Sequence, residues 1–418
     1  MDLMEDIICR IPLKSMRAVR LTCTKWNTLS KTKIFTKMHF DKTFAPKKYD
    51  ESESRMIVLM EDNLYLMSDV NDSSGEQTGK LTCLDEQVKI SGVFHCEGLL
   101  LCTLKDDDTK VVVWNPYLGQ TRWIEARYPH VLRPRQSGML LFDYSLGYED
   151  KRSCRNHKLL RFIDGFIFRQ WSEFSWYEIY DFESGLWTTL DVTDPYWYIT
   201  GAGVYLKGNT YFCATKRNSG VDADHIICFD YTRERFGPLL PLPPLFQSTG
   251  HRVALSCVKE EKIAALWEHR EEYGDMFEIW ITTMVEPEKI SWSKFFTFDD
   301  DSFSRDIGIH LTLGSFYIDE VKKVVMIFGK RLKRHIVCII ENEDSHDVVE
   351  LVDHEVCPGE KWWESPRVCS YVPSLAQIKE PKGGQRQKQS DLEKLRYDDM
   401  MSRLSYFESK CKGPDPNC

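Results

Sequence analysis

The sequence predicts a small all-α helical hairpin at the N-terminus followed by a large all-β domain, which we interpret as a β-propeller of about six blades. Apolar residues recur at helical spacing only within the first 30 residues. From about residue 55, short apolar runs end at turn residues, as strands do. Two hairpin patterns alternate in this part, and successive copies of each lie about 50–65 residues apart.

Charge is distributed unevenly along the 418 residues, of which 42% are hydrophobic and 28% are charged. Residues 1–48 contain 11 Lys and Arg against 4 Asp and Glu, a net charge of +7. The rest of the chain contains 44 against 60, a net charge of −16. A basic segment on an acidic domain predicts two different roles. We expect no nucleic acid partner, because the acidic domain repels phosphate.

The N-terminus lacks the apolar run of a secretory signal, because charges fall at Asp2, Glu5 and Arg10. We therefore expect the protein in the cytoplasm, the nucleus or both, with its 14 cysteines reduced. Most of these thiols should pack as small apolar side chains. No CxxC pair indicates a zinc site. No apolar run approaches the ~18 residues of a membrane span, so we expect no membrane partner.

The first predicted helix is amphipathic. Its apolar face follows the spacing i, i+3, i+4, i+7 and consists of Met4, Ile7, Ile8 and Ile11. Pro12 ends this helix, because proline lacks an N–H and its ring clashes with the preceding turn. Ser15 is suited to cap the next helix, because its hydroxyl can accept an N–H of the first turn.

The second predicted helix carries its own apolar stripe, formed by Met16, Val19, Cys23 and Trp26. Arg17, Arg20 and Lys25 lie off that stripe. A hairpin this short cannot cover its own apolar side chains, since cores below about 40 residues rarely stand alone. From the residues alone, two interpretations stay open: the hairpin docks on a helix of a partner, or it caps the β domain.

The stretch DLMEDIICRIPLKSMRAVRLTCTKWNTLSK resembles an F-box, the motif that tethers substrate adaptors to a Skp-type subunit of SCF ubiquitin ligases. FTKMHF at 35–40 is similar to the usual tail of that motif. The Leu-Pro pair that commonly opens an F-box is missing, since Met1 directly precedes Asp2-Leu3. The resemblance rests on Ile8, Arg10, Ile11, Pro12, Lys14, Ser15, Thr22, Cys23, Lys25, Trp26 and Asn27.

The resemblance implies docking on a Skp-type adaptor and, through it, on a cullin. We expect Trp26 to belong to the core as much as to the contact, because a ring at the end of the stripe must be covered. The residues that we predict to bind the adaptor are Leu3, Ile7, Ile8, Ile11, Pro12, Leu13, Lys14, Cys23 and Trp26.

One recurring unit of the β domain is an apolar strand, an Asp or Asn, a turn and then an aromatic residue. Gly119 and Gly185 mark the turn in two copies, and the closing aromatic residue should pack across the hairpin. The copies are VVVWNPYLGQTRW (111–123), WYEIYDFESGLW (176–187), IICFDYTRERF (226–236) and, more loosely, FEIWITTMVEPEKISW (277–292).

A second unit is a hairpin with a tight polar turn, such as Lys207-Gly208-Asn209. Two hairpins per period make one four-stranded propeller blade, and a ring of blades buries the faces of hairpins that are marginal alone. An irregular β-sandwich with chance periodicity is the alternative. The copies are GVYLKGNTYFCAT (203–215), VALSCVKEEKIAALW (253–267) and SFYIDEVKKVVMIF (315–328).

The order of these units is similar to the F-box-associated domain of plant F-box proteins. The resemblance implies a propeller-like or kelch-like interaction domain that binds a substrate protein. The Gly-Gly of kelch repeats and the Trp-Asp of WD40 repeats are both missing. The likeness is carried by GLLLC (98–102), VWNPYLGQTRW, YDFESGLW, GVYLKGNTYF, FDYTRERFG with PLLPLP, and SYVPSL (370–375).

We divide the chain into an F-box-like motif (1–44), a linker (45–54), a β domain (55–376) and a polar, mostly disordered tail (377–418). Within the tail, SDLEKLRYDDMMSRLSYF could form a short helix with Ser390 as its cap and Glu393 three residues later. Its apolar residues do not form a clean stripe: Leu392, Leu395, Met400, Leu404 and Phe407.

Motifs of catalysis are missing from the sequence. Gly79-Lys80 lacks the rest of a phosphate-binding loop, and no GxSxG elbow is present. The acidic runs at 106–108 and 299–301 are typical of solvated turns. We therefore expect a non-catalytic subunit without cofactor or metal. A propeller enzyme or carbohydrate-binding protein with an incidental helical cap is the alternative. A third is a family member that folds but binds the Skp subunit weakly.

Overall fold

Strands dominate the part of the chain that the computed structural model describes. That part comprises residues 19, 22–29, 55–68, 79–81, 88–128, 131–132, 140–151, 154–164, 174–192, 195–217, 225–243, 252–271, 274–299, 316–331, 334–342, 345–351, 366–374, 376–379 and 389–410.

The described residues include two helices, α1 (Thr24–Leu29) before the strands and α2 (Asp391–Lys410) after them. The strands are β1 (Arg55–Met60), β2 (Asn63–Ser68), β3 (Gly79–Leu81), β4 (Ile90–Cys96), β5 (Leu99–Leu104), β6 (Lys110–Asn115), β7 (Gln120–Glu125), β8 (Val131–Leu132), β9 (Leu140–Leu141), β10 (Asp143–Lys151), β11 (Cys154–Asp164), β12 (Ser175–Asp181), β13 (Leu186–Thr189), β14 (Trp197–Ile199), β15 (Val204–Leu206), β16 (Asn209–Lys216), β17 (His225–Asp230), β18 (Arg235–Pro241), β19 (Arg252–Val258), β20 (Lys262–Glu271), β21 (Gly274–Glu286), β22 (Lys289–Asp299), β23 (Phe316–Asp319), β24 (Val324–Arg331), β25 (Arg334–Asn342), β26 (Ser345–Glu350) and β27 (Arg367–Ser370).

The strands form six antiparallel blades, which we number in this order: β27-β1-β2-β3, β4-β5-β6-β7, β10-β11-β12-β13, β14-β16-β17-β18, β19-β20-β21-β22 and β23-β24-β25-β26. Strand β15 also pairs with β16, and β8 pairs with β9 apart from the blades. The predicted β-propeller of about six blades is confirmed, and the alternative of an irregular β-sandwich is excluded.

The ring is closed by its two ends. Strand β27 pairs antiparallel with β1, so that Ser370 lies opposite Met56 and Arg367 lies opposite Leu59. Blade 1 therefore takes its innermost strand from the end of the domain and the other three from its beginning. This pairing joins segments about 310 residues apart, and it leaves blade 1 incomplete in any chain that ends before β27.

Each junction between neighbouring blades has its own apolar cluster. Between blades 1 and 2, for example, fully buried Ile57 of β1 packs with Leu100 of β5 and Val112 of β6. Equivalent clusters fill the junctions of blades 2–3, 3–4, 4–5, 5–6 and 6–1. Burial of a side chain of this size stabilises the fold by about 1.5–3 kcal/mol.

The predicted hairpin turns occur where the sequence indicated. Gly119 and Gly185 adopt φ of 64° and 70°, a left-handed conformation that glycine adopts without strain. The closing Trp187 lies opposite Tyr180, with ring centroids 5.2 Å apart. The closing Trp123 differs from the prediction, because its side chain is 41% exposed on the outermost strand of blade 2.

The two ends of the propeller can be told apart by their turns. One end holds the turns that join each innermost strand to the second strand, at 97–98, 207–208 and 259–261. Arg55 lies at this end, where its carbonyl accepts the N–H of Tyr371 at 3.0 Å. We call it the linker end, because the segment preceding Arg55 leads to the N-terminal helices. The opposite end is the distal end.

After the closing strand, residues 371–374 and 376–379 lie across the linker end. The side-chain amide of Asn115 in blade 2 donates to the carbonyls of Ser374, at 3.2 Å, and Ala376, at 2.7 Å. Lys379 pairs with Glu183 of blade 3 at 2.9 Å. This segment, the C-terminal strap, thus connects blade 1 with blades 2 and 3.

Residues 391–410 form helix α2, where the sequence led us to expect a mostly disordered tail. The predicted cap is present, since the hydroxyl of Ser390 accepts the N–H of Glu393 at 3.2 Å. Met400 and Leu404 are buried at the distal end of blade 3. The helix is ordered because this contact buries one of its faces, which the polar composition of the tail had hidden.

Candidate partner-binding surfaces

The N-terminal site is described only around helix α1. The hydroxyl of Thr22 donates to the carbonyl of Val19 at 2.6 Å, and the N–H of Trp26 donates to Cys23 Sγ at 3.4 Å. Cys23 is exposed and Trp26 is half-buried. These two predicted adaptor-binding residues therefore lie one turn apart and keep accessible surface.

The other predicted adaptor-binding residues lie outside the described residues: Leu3, Ile7, Ile8, Ile11, Pro12, Leu13 and Lys14. Their role, and that of Cys23 and Trp26, stays a prediction.

The linker end carries charged residues in strained turns. Glu97, Lys207 and Glu260 have φ of 47°, 49° and 57°, a left-handed region that non-glycine residues seldom adopt. Glu97 forms an ion pair with Arg155 at 2.5 Å. The guanidinium of Arg155 also lies 4.6 Å from the ring centroid of Tyr148. The ion pair therefore connects a turn of blade 2 with β11 of blade 3.

Buried His95 and half-buried Glu260 lie side by side at these turns. The N–H of Gly98 donates to Nε2 of His95 at 2.9 Å, so this nitrogen is unprotonated. Burial lowers the pKa of His95 to about 3. Oε1 of Glu260 lies 3.5 Å from the same nitrogen, and desolvation, assisted by repulsion from Glu97, raises the pKa of Glu260 to about 7. Because His95 is neutral at pH 7, the pair is not an ion pair.

The distal side of blade 3 contains a buried ionic network. Arg161 and Glu178 are both fully buried, and their side chains pair at 2.7 Å. Arg127 lies 2.8 Å from Oε1 of Glu393 in helix α2, and the same oxygen accepts the backbone N–H of Thr189 at 2.9 Å. Removal of one member of such a network leaves an uncompensated buried charge. The network therefore fixes α2 on blade 3.

An aromatic contact reinforces the docking of helix α2. The ring of Tyr397 lies edge-on to Trp176 with centroids 5.8 Å apart, and Arg127 lies 4.0 Å from the centroid of the same tyrosine. The hydroxyl of Tyr397 also donates to the carbonyl of Arg127 at 3.3 Å. This docking site was not predicted from the sequence, although Glu393 had been singled out as part of a helix cap.

Four of the described thiols are poor nucleophiles. Desolvation raises the pKa of Cys213, Cys228, Cys257 and Cys369 to about 12, so each is almost entirely protonated at pH 7. The prediction that most cysteines serve as small apolar core residues is confirmed for those described cysteines that are buried. These are Cys96, Cys102, Cys213, Cys228 and Cys338.

Two family models match the chain. The F-box associated β-propeller domain matches residues 55–378, which is more than half of the chain, and the F-box domain matches residues 1–38. The chain belongs to the F-box-associated β-propeller family. This finding agrees with both resemblances seen in the sequence. The finer likeness to kelch repeats stays a prediction.

Curated relatives of this F-box-associated propeller protein come from Arabidopsis thaliana. Putative F-box protein At3g22421 is 51% identical, with 97% of this chain and 93% of that protein covered. Putative F-box protein At3g22940 is also 51% identical, with coverage of 97% and 96%. A relative named Peroxiredoxin-2A is 48% identical, and the match covers 93% of this chain but 70% of that protein.

Proposed function

We propose that this F-box-associated propeller protein is the substrate-recognition subunit of an SCF-type ubiquitin ligase. Its N-terminal motif docks on a Skp-type adaptor, and through it on a cullin, while its propeller binds a target protein. The proposal rests on one observation: residues 1–38 match the F-box domain and residues 55–378 of the same chain match the F-box associated β-propeller domain.

The proposed role requires no bond chemistry from this chain. A subunit that holds a target beside the ubiquitin-transfer enzyme accelerates transfer by proximity, because an encounter becomes an intramolecular step. The closed ring of blades suits this role, since a rigid domain holds its target at a fixed distance. No cofactor or metal is part of the proposal, and we place the protein in the cytoplasm, the nucleus or both.

The distal end is the better candidate for the target-binding surface. The chain enters the propeller at the linker end, at Arg55, and the C-terminal strap occupies part of that end. The distal end is therefore the one turned away from the point where the N-terminal motif is attached.

Of the helices that the structure describes, none is long and apolar enough to span a bilayer.

A peroxidase is a second candidate, favoured by the name of one relative, Peroxiredoxin-2A. Thiol peroxidase chemistry needs a cysteine held as its thiolate. The described cysteines have raised pKa values where a shift occurs, which opposes thiolate formation. The match covers 70% of that relative, so the rest of the relative lies outside the part that is similar to this chain. The adaptor function is the better supported of the two.

Reconstituted ubiquitin transfer tests the proposed function. The full chain is combined with a plant Skp-type adaptor, a cullin–RING module and a ubiquitin-transfer enzyme, and ubiquitin linked to the chain itself is measured. We expect self-modification that requires residues 1–44. Equal modification of a folded chain lacking residues 1–44, or none of a folded full chain, would contradict the proposal. Peroxide consumption in the same samples tests the second candidate.

A further inference from the structure

We propose that the outward face of helix α2 is a docking surface for a basic, amphipathic segment of the target protein. This inference rests on the proposed function. We call the surface the acidic–apolar face, and it consists of Leu392, Leu395, Asp398, Asp399 and Tyr406.

The first argument is the position of helix α2. Its buried residues Met400 and Leu404 pack on Phe142, Ile163 and Trp176. Phe142 directly precedes β10, the innermost strand of blade 3. Ile163 lies at the end of β11 and Trp176 at the beginning of β12, so all three lie at the distal end of this blade. Helix α2 therefore covers part of the end that lies opposite Arg55.

The second argument is exposure. Leu392, Leu395 and Tyr406 are 70%, 66% and 63% exposed, and each belongs to the small group of large apolar side chains that the described part of the chain leaves in solvent. At 100° per residue, the three lie within about 60° of one another around the helix axis. Met400 and Leu404 project in other directions, roughly 80–180° away from these three around the axis. Apolar side chains grouped on one exposed face indicate an interaction surface.

The third argument is charge, which selects the partner. Asp398 and Asp399 are exposed beside Leu395. Among the described residues, the nearby cations Lys394 and Arg396 pair with other carboxylates, those of Asp391 at 3.5 Å and Asp191 at 4.0 Å. The chain beyond residue 48 carries a net charge of −16, so the long-range field also favours a cation. A segment that alternates apolar side chains with Lys or Arg would satisfy both features of the face.

A second copy of this chain fits the face less well. A two-fold contact places the same surface of both copies together, so the exposed Asp398 and Asp399 of each copy would face one another. Like charges at such a distance repel, and the acidic domain adds to the repulsion. The observations therefore favour a basic partner over self-association.

The fourth argument is rigidity. The first turn of helix α2 is fixed by the bonds of Glu393 to Arg127 and Thr189, and its middle by Tyr397 against Trp176. A surface that is already ordered loses little conformational entropy when a partner binds. Helix α2 therefore presents the acidic–apolar face in a fixed geometry.

Selection from a random peptide library tests the inference even while the target protein is unidentified. The bait is the full chain bound to its Skp-type adaptor, and the probe is a library of random peptides of about 16 residues, long enough to cover four helical turns. Enriched peptides are synthesised with a fluorophore, and their affinities are measured by anisotropy. We expect Lys or Arg with apolar residues at helical spacing.

Three variants locate the binding site on the chain. Leu395→Ser and the double change Asp398→Lys with Asp399→Lys should each weaken the enriched peptides by roughly tenfold, through lost apolar contact and reversed charge respectively. Val321→Ser is the matched control, because Val321 is 65% exposed in a turn at the linker end. The Val321→Ser variant should bind the enriched peptides with the same affinity as the wild-type chain. All three change exposed side chains, so folding should persist.

The outcomes separate this inference from the proposed function. Acidic peptides, equal affinity for the Leu395→Ser variant, or an adaptor-bound chain that enriches no peptide would overturn the inference while the adaptor function stands. If the chain fails to bind the adaptor, the proposed function fails. The selection is then repeated on the chain alone, where basic peptides sensitive to Leu395→Ser still support the docking surface and their absence refutes it.

Discussion

Glu393 and Arg127 form an ion pair at 2.8 Å although they lie 266 residues apart in the sequence. Arg127 follows the outermost strand of blade 2, and Glu393 belongs to the first turn of helix α2. The same carboxylate accepts hydrogen bonds from the N–H and the hydroxyl of Thr189 at the end of blade 3. One buried carboxylate therefore joins blade 2, blade 3 and the C-terminal helix.

Glu393→Ala should release helix α2 from the propeller. The change removes the nearer of two carboxylates beside Arg127, since Glu178 stays at 3.6 Å, and it removes an acceptor for Thr189, a loss of about 1–3 kcal/mol. We expect faster amide hydrogen exchange throughout α2 and earlier proteolytic cleavage within it. Asp391→Ala is the control, because Asp391 lies in the same turn with a 99% exposed side chain. Equal protection of α2 in both variants would contradict the role of the pair.

Glu260→Gln should stabilise the protein at high pH. Glu260 has a pKa of about 7 in the folded protein, above its ordinary value of 4.5, so the folded state binds more protons between these values. Stability contributed by this group is therefore present below pH 4.5 and is lost as the pH rises through 7. The glutamine cannot ionise, so the gain should appear above pH 7, at about 1–3 kcal/mol, and vanish near pH 5.

Urea unfolding at pH 5 and at pH 8 measures this difference. The neighbouring Glu261→Gln is the control, because Glu261 is exposed and follows Glu260 in the same turn. A gain of equal size at both pH values would show that the benefit comes from packing or hydrogen bonding. That result would refute the raised pKa of Glu260.

His95→Gln should improve tolerance of acid. The pKa of His95 falls from 6.5 to about 3 on folding, so the unfolded state binds more protons between these values. The wild-type protein therefore loses stability as the pH falls from 6.5 towards 3, whereas the glutamine variant lacks this contribution. The amide of glutamine can accept the N–H of Gly98. A parallel decline of both proteins in unfolding free energy from pH 7 to pH 4 would disagree with this account.

Gly147→Ala should destabilise the junction of blades 3 and 4. A Cβ at this position would lie 2.2 Å from the ring of Tyr231 and 2.5 Å from the carbonyl of Gly208. Tyr231 cannot move easily, because it is fully buried and its hydroxyl bonds to Ser145 at 2.8 Å. We expect a loss of about 1–3 kcal/mol in the free energy of unfolding.

Gly201→Ala is the matched control for this change, since a Cβ there meets only Cys213 at 3.7 Å, an ordinary contact. Thermal unfolding of the two variants beside the wild type makes the comparison. If Gly147→Ala melts with Gly201→Ala and the wild type, the close packing of Tyr231 on blade 3 is wrong.

The blades could be predicted from the sequence because their signals are local. Copies of the two hairpin units recur in blades 2 to 6, and Gly119, Gly185 and Gly208 lie where the turns require φ above zero. The pairing of β27 with β1 could not be predicted, because the two segments are far apart and carry no local mark of their partnership. Ring closure is a property of the complete set of blades.

Helix α2 could not be predicted to dock, because its buried face is not purely apolar. Leu392 and Leu395, two of the apolar residues that form no clean stripe in the sequence, both face solvent. Glu393, with Tyr397 beside it, lies on the face that contacts blade 3, and only the network at Arg127 makes its burial favourable. A buried carboxylate interrupts the apolar spacing of the helix, and its partners are distant in the sequence. Hydrophobic periodicity therefore does not reveal this docking.

The measurement that tests the central claim most directly is co-purification of the chain with a plant Skp-type adaptor, beside a chain lacking residues 1–44. Circular dichroism melting of both proteins establishes that the propeller is folded in each. The account predicts a stable complex with the full chain, none with the shortened chain, and similar melting of the two. A well-folded full chain that binds no adaptor, or a shortened chain that binds equally well, would contradict it.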